Sequence, residues 1–422
     1  MEVSFVTLSL ARRAERFSDR TAVVDSSEER LYAPAETIHE VHEDRVSYAE
    51  LSALATRAAE QLSALGLEAS DVLCLVTRNR VVSLALFFAC RRLGVTFAPI
   101  SHWLTPATVT RPFEVIDPDL VVFEAAQRDL VRSIPFDRSA TLSELEAADC
   151  NSEADVASHD TVTRDEADGP QVLFHGDGGR PVVGYSARTL EWNCISTAVT
   201  WGLSGDDVVP LVGPLSAPDG FVRVALALLY VGGTLLLDRA FDPGDTLTAI
   251  EAERATFLAG RTTALTDLAA ESRFDDAAGS LERAVVEGSL SADVRDRYRD
   301  CSMSLARARG WLECPTALSQ SFSTAADSGG VGRPVLDCRA RLVDDDGTVL
   351  EGEAEGRLEL SGPVVADGYV NTAGAADDEW DEPTTGQRSD ETGHDNCRRF
   401  DDGWFHTGER FRRDGDGRYY PS

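Results

Sequence analysis

The stretch Leu86-Phe-Phe-Ala-Cys-Arg-Arg-Leu-Gly-Val-Thr-Phe-Ala-Pro99 decides the fold class. Leu84–Leu93 reads as a helix, Gly94 closes it, and Thr96–Ile100 follows as an apolar strand. The same alternation extends both ways. Upstream, Ser47 caps a helix, with Glu50 as its capping-box partner. Leu51, Leu54, Ala55, Ala58, Ala59, Leu62 and Leu65 follow at helical spacing, Gly66 stops the helix, and Val72–Val76 is a strand. Downstream, Leu120–Phe123 and Val172–Phe174 are strands. Residues 139–169 read as an exposed acidic connection. From Leu190 onward come a helix around Trp192–Trp201, strand Val208–Val212, helix Phe221–Tyr230, strand Thr234–Asp238, helix Ala249–Arg254, and strands Thr256–Leu258 and Leu281–Val286. This pattern predicts an α/β fold of mostly parallel sheets with flanking helices. Residues 333–370 change to short β segments with turns, which predicts a small antiparallel β subdomain near the C-terminus. Residues 372–402 are acidic with few apolar side chains and read as a flexible loop. The expected division is an α/β core over 1–332, as two βα subdomains at about 1–170 and 171–332, and a β subdomain over 333–422.

Composition narrows the function classes. The 422 residues carry 40 basic and 72 acidic side chains, a net charge of −32, and every basic residue is arginine. Such a chain should repel nucleic acid and anionic lipid surfaces. No apolar run is long enough to span a membrane, and Met1–Phe17 has no secretory pattern. A soluble protein of a salt-rich cytoplasm is expected. The eight cysteines form no CxxC pair and are expected to be reduced and mostly buried. His39 and His42 lack a third ligand, so no structural metal is expected.

The chain resembles the AMP-dependent synthetase and ligase family, the adenylate-forming enzymes that include acyl-CoA synthetases. The resemblance runs through Val46–Gly66, Leu86–Pro99, Leu104-Thr-Pro106, Leu235–Phe241, Ala252–Leu258, Gly332-Arg-Pro334, Gly356-Arg-Leu358 and Gly368-Tyr369. Its most specific match is Gly403-Trp-Phe-His-Thr-Gly408. It implies that a carboxylate attacks the α-phosphate of ATP to give an acyl-adenylate, and that coenzyme A then displaces AMP. Joining two anions requires positive charge and backbone N–H donors around the phosphates, usually with Mg²⁺.

The motifs that would supply these are altered. The family's phosphate loop, ending in Pro-Lys-Gly, reads His175-Gly-Asp-Gly-Gly-Arg-Pro-Val-Val-Gly184. Gly176, Gly178 and Gly179 can still wrap a phosphate. The loop hydroxyls are gone, Val182 or Val183 takes the lysine position, and Arg180 is the remaining cation. A simple strand–helix turn is the alternative reading. The gating segment Pro-Leu-x-His reads Pro214-Leu-Ser-Ala217. The adenine and Mg²⁺ motif Tyr-Gly-x-Thr-Glu reads Arg309-Gly-Trp-Leu-Glu313. Glu313 would keep the catalytic, metal-linked carboxylate, and Arg309 and Trp311 would face the nucleotide, although a tryptophan also suits a core. The ribose motif Thr-Gly-Asp reads Thr407-Gly-Glu409, where Glu409 would take the ribose hydroxyls. The family's lysine-bearing C-terminal lid domain is expected to be absent, and a separate partner protein could carry it. Two readings result: an acyl-CoA synthetase-like enzyme, impaired by the lost lysines, or a non-catalytic descendant that binds a nucleotide, an acyl ligand or a partner. A structural subunit with a collapsed pocket is a third.

Overall fold

A computed structural model describes residues 8–26, 45–148, 169–322, 329–370, 379–380 and 398–422. Four sheets and their helices make up these residues. The first has seven strands in the spatial order Gly368–Tyr369, Val182–Tyr185, Val172–His175, Thr96–Ile100, Val72–Val76, Leu120–Phe123, Ser139–Thr141. Its strands from Val172–His175 to Ser139–Thr141 are parallel. The second joins Arg45–Ser47, Thr21–Asp25, Thr234–Leu237 and Val208–Pro210. The third begins with parallel strands Phe257–Arg261, Arg283–Glu287 and Ser304–Trp311 and continues antiparallel through Cys314–Ser319. The fourth is antiparallel and contains Arg339–Val343, Ala354–Ser361 and Trp404–Arg413. This is the α/β architecture with a terminal antiparallel sheet that the pattern predicted.

The opening stretch behaves as read. Helix Val81–Leu93 ends at Gly94 in the left-handed conformation, and Thr96–Ile100 is buried along its whole length. The helix packs against Tyr48–Ala64, whose Ser47–Glu50 capping box is formed on both sides. Phe87 stands at the centre of an aromatic cluster, 6.0 Å from Phe97 and 5.1 Å from Phe221 between ring centroids. Phe221 is in turn 5.9 Å from Phe174. This cluster fixes the helix that carries residue 221 against the strand that leads into the glycine turn.

Several expectations need correction. Residues 139–148 are not an exposed connection. Ser139–Thr141 is a parallel edge strand, and Leu142–Glu146 is a helix closed by a Thr141–Glu144 capping box with Leu142 and Leu145 buried. The acidic composition around it hid that box. The expected helix Phe221–Tyr230 begins as a π-helix over Phe221–Leu226. Strands also pair across the boundary expected near residue 170: Thr21–Asp25 lies beside Thr234–Leu237, and Phe97 pairs with Val172. Cys150, Cys397, His39, His42 and most of the 372–402 loop lie outside the described residues. Among the described residues six cysteines are free, and five of these are buried.

Candidate active site

The parallel strands aim their C-terminal ends at one cavity of about 950 Å³. His175, Arg261 and Glu287 each end such a strand and line it, which is where open α/β sheets place ligands.

The glycine turn forms one part of the wall. Gly176, Gly178 and Arg180 line the cavity. The turn joins antiparallel strands Val172–His175 and Val182–Tyr185, so the alternative reading of a strand–helix turn is replaced by a hairpin. Its backbone is tight. A Cβ on Gly176 would lie 2.5 Å from the Arg180 carbonyl oxygen, and Gly179, at φ +88°, would meet Pro112 and the Thr108 carbonyl at 2.9 Å. The Gly176 and Gly179 amides are used inside the turn, while those of Asp177, Gly178 and Arg180 have no acceptor among the described residues. Neighbouring free amides of this kind suit an anion. His175 braces the turn. Its Nδ1–H donates to the Gly176 carbonyl at 2.7 Å, and its Nε2 accepts from the Ser101 amide at 3.0 Å. Burial lowers its pKa, so the ring is held neutral. Val182 and Val183 are buried strand residues.

Five arginines line the cavity: Arg111, Arg180, Arg223, Arg261 and Arg309. Arg180 pairs with Glu114 at 2.6 Å, Arg223 with Glu287 at 2.6 Å, Arg261 with Asp219 at 2.8 Å, and Arg309 with Glu409 at 2.5 Å. Arg111 reaches the Gly178 carbonyl at 3.2 Å and forms no ion pair among the described residues. Sequence reading missed Arg111, Arg223, Arg261, Asp219 and Glu287. A signal for some of them existed. Asp219 and Arg223 lie four residues apart just after the helix-starting Pro218, and Arg261 and Glu287 close parallel strands.

Ala217 of the gating segment lines the cavity, and its small side chain leaves the wall open there. Asn79 fixes this segment. Its amide donates to the Gly213 carbonyl at 3.1 Å and its carbonyl accepts from the Leu215 amide at 2.8 Å.

The remaining sequence-predicted residues separate into two groups. Arg309, Trp311 and Glu409 come together: Glu409 Oε1 accepts from Arg309 at 2.5 Å and from the Trp311 indole N–H at 2.9 Å. The Arg309 guanidinium lies 5.1 Å from the Trp311 ring centroid. Trp311 lines the cavity but is only 6% exposed and packs on Phe411, so it serves the core as well. Glu409 is not among the lining residues, whereas its donors Arg309 and Trp311 both are. Glu313 is apart from these. It has no exposed surface, accepts from the Tyr369 hydroxyl at 2.9 Å, and does not line the cavity. In this arrangement it does not fit a Mg²⁺ ion bound beside phosphates, which needs a carboxylate within reach of the nucleotide. Among the described residues no cluster of three or more His, Cys, Asp or Glu could hold a metal ion, and no helix is long and apolar enough to cross a membrane.

Comparison with known proteins places the chain in a family. Residues 10–370 match the AMP-binding enzyme family. A feruloyl-CoA synthase from an Amycolatopsis species is 27% identical over 382 residues, covering 89% of this chain and 72% of its own. An indoleacetate–CoA ligase from Aromatoleum aromaticum is 29% identical, covering 91% and 74%. ATP-bound MatB from Rhodopseudomonas palustris shares the fold at a TM-score of 0.79 and 23% identity, covering 98% of this chain and 78% of its own. The N-terminal domain of FACL13 from Mycobacterium tuberculosis does so at 0.78 and 19% identity, with 98% of each chain covered. The chain therefore belongs to the AMP-binding enzyme family and has the fold of its large N-terminal domain.

Proposed function

We propose that the cavity binds an adenine nucleotide together with a carboxylic acid, and that the chain carries acyl-CoA synthetase-like chemistry with arginines in place of lysines. The carrying observation is the five arginines that line one cavity with a glycine hairpin bearing free amides. In the step proposed, a carboxylate oxygen bonds to the α-phosphorus of ATP and the α–β phosphoanhydride bond breaks, releasing pyrophosphate. Coenzyme A is the proposed acceptor of the acyl group. Arg111, the lining arginine without an acid partner, is the cation most available to a phosphate. Arg180 can follow only by leaving Glu114. A guanidinium supplies charge as a planar fork, not as the compact ammonium the family uses, so a low rate is expected. Removing one preorganised donor typically slows a reaction by about 10²–10³.

A second reading is a chain that binds the nucleotide or an acyl ligand without turnover. It is favoured by the burial of Glu313 against Tyr369 and the capture of Glu409 by Arg309. ATP–pyrophosphate exchange with a panel of carboxylic acids, in molar KCl with Mg²⁺, separates the two. Exchange above background supports adenylation. No exchange, with AMP binding retained in a titration, leaves the binding reading. We place the protein in a salt-rich cytoplasm on the strength of its charge.

A further inference from the structure

One section of the cavity wall is charged where a simple acyl tail would want apolar side chains. It directly follows the gating segment 214–217. Asp219 pairs with Arg261, and Arg223 pairs with Glu287 while also donating to the Pro315 carbonyl at 2.9 Å. The two pairs are close neighbours, since Arg261 and Glu287 are register partners on adjacent parallel strands. Arg223 is only 3% exposed. Two buried atoms on this wall lack a hydrogen-bond partner among the described residues: Asp219 Oδ1, an acceptor, and Arg223 Nε, a donor. Arg261 uses only Nε toward Asp219, and its terminal nitrogens hold no described partner.

This wall discriminates between acyl tails by elementary electrostatics. An alkyl tail would strip water from both ion pairs and offer no hydrogen bond in return. A second carboxylate on the tail would meet Asp177, Asp219 and Glu287. An ammonium has donors only, so it could meet Asp219 Oδ1 but would leave the Arg223 Nε donor unpaired. A hydroxyl is different because it donates and accepts at once. It can use the spare acceptor and donor without breaking either pair. Resting on the nucleotide-and-carboxylate reading above, we propose that this wall selects a carboxylic acid whose tail carries a hydroxyl, which donates to Asp219 and accepts from Arg223 or Arg261.

Calorimetric titration of the full chain in molar KCl tests this. The probes are AMP and stable acyl-sulfamoyl adenosines, unreactive mimics of an acyl-adenylate, as matched butanoyl, 4-hydroxybutanoyl and succinyl forms. The hydroxylated probe is expected to bind at least about tenfold more tightly than the butanoyl one, because sites built for a hydroxyl reject analogues lacking it. If AMP binds but the butanoyl or succinyl probe equals or exceeds the hydroxylated one, the tail assignment is wrong and the nucleotide reading stands. If neither AMP nor any probe binds, the nucleotide reading fails and this inference falls with it. Asp219→Ala should shrink the preference to less than about threefold, and Asp219→Asn, which keeps an acceptor, should restore part of it. Arg261→Gln, at a half-exposed side chain, should also narrow the preference. A preference unchanged in all three variants would remove the selectivity from this wall.

Discussion

Glu409 shows how one side chain can serve two demands. The family resemblance assigns it to ribose, and the structure ties it to Arg309 and the Trp311 indole. A carboxylate has capacity for about four hydrogen bonds, so ribose hydroxyls can join this cluster rather than replace it. Glu409→Ala should weaken AMP binding about tenfold by isothermal titration, in line with about 1.5 kcal/mol for a hydrogen bond to a charged group. Unchanged affinity would exclude the ribose role. Glu124 is a purely structural counterpart. It has no exposed surface and accepts from Arg78 at 2.5 Å and Arg80 at 2.8 Å. Burial alone would raise its pKa, but the two guanidiniums override this and hold it at about 2. The unfolded chain therefore binds more protons in this range. The stability Glu124 contributes is complete above its unfolded pKa of about 4.5 and is lost as pH falls toward about 2. Glu124→Gln should cost roughly 3 kcal/mol in urea unfolding at neutral pH, because it leaves the buried Arg80 and the part-buried Arg78 without their counter-charge. It should also flatten the loss of stability below pH 4.5.

At the scale of elements, one hairpin shapes the site and one cap serves the fold outside it. The hairpin from Ser304–Trp311 to Cys314–Ser319 carries a register shift between Arg309 and Trp311. At Gly310 a Cβ would lie 2.1 Å from the Pro315 carbonyl oxygen. Gly310→Ala should thus cost about 1–3 kcal/mol, as overpacking does, and should displace Arg309 and Trp311 from Glu409. Loss of AMP binding alongside a lower unfolding midpoint would bear this out, and a fully stable, binding-competent variant would contradict it. Thr141→Ala removes the cap of the helix that sequence reading missed. It should cost about 1 kcal/mol with no effect on nucleotide affinity, since no residue of Leu142–Glu146 lines the cavity.

For the whole molecule the governing quantity is the charge of −32. Self-repulsion among 72 acidic side chains opposes the compact state. Salt reduces the range of that repulsion from about 10 Å at 0.1 M to about 3 Å at 1 M. The urea midpoint should therefore rise between 0.1 M and 2 M KCl. A midpoint that is already maximal at low salt would refute the proposed salt adaptation. The buried pairs, Arg80–Glu124 and Arg223–Glu287, should be the least affected by this change, because little solvent reaches them.

The sequence by itself determined most of the order of helices and strands, the capping box at Ser47 and the membership of the chain in its family. These depend on local periods, caps and short motifs, and each is written within a few consecutive residues. It also singled out Arg309, Trp311, Glu409 and the glycine turn as candidates. It did not show that Arg309 holds Glu409, that Glu313 turns inward to Tyr369, or that Asp219, Arg223, Arg261 and Glu287 make one charged wall. With 40 arginines and 72 acids, almost any pairing is compatible with the order of residues. Arg309 and Glu409 are 100 positions apart. Only the packing of the third sheet against the fourth selects that pair, because a few ångströms separate an ion pair inside a wall from two solvated charges.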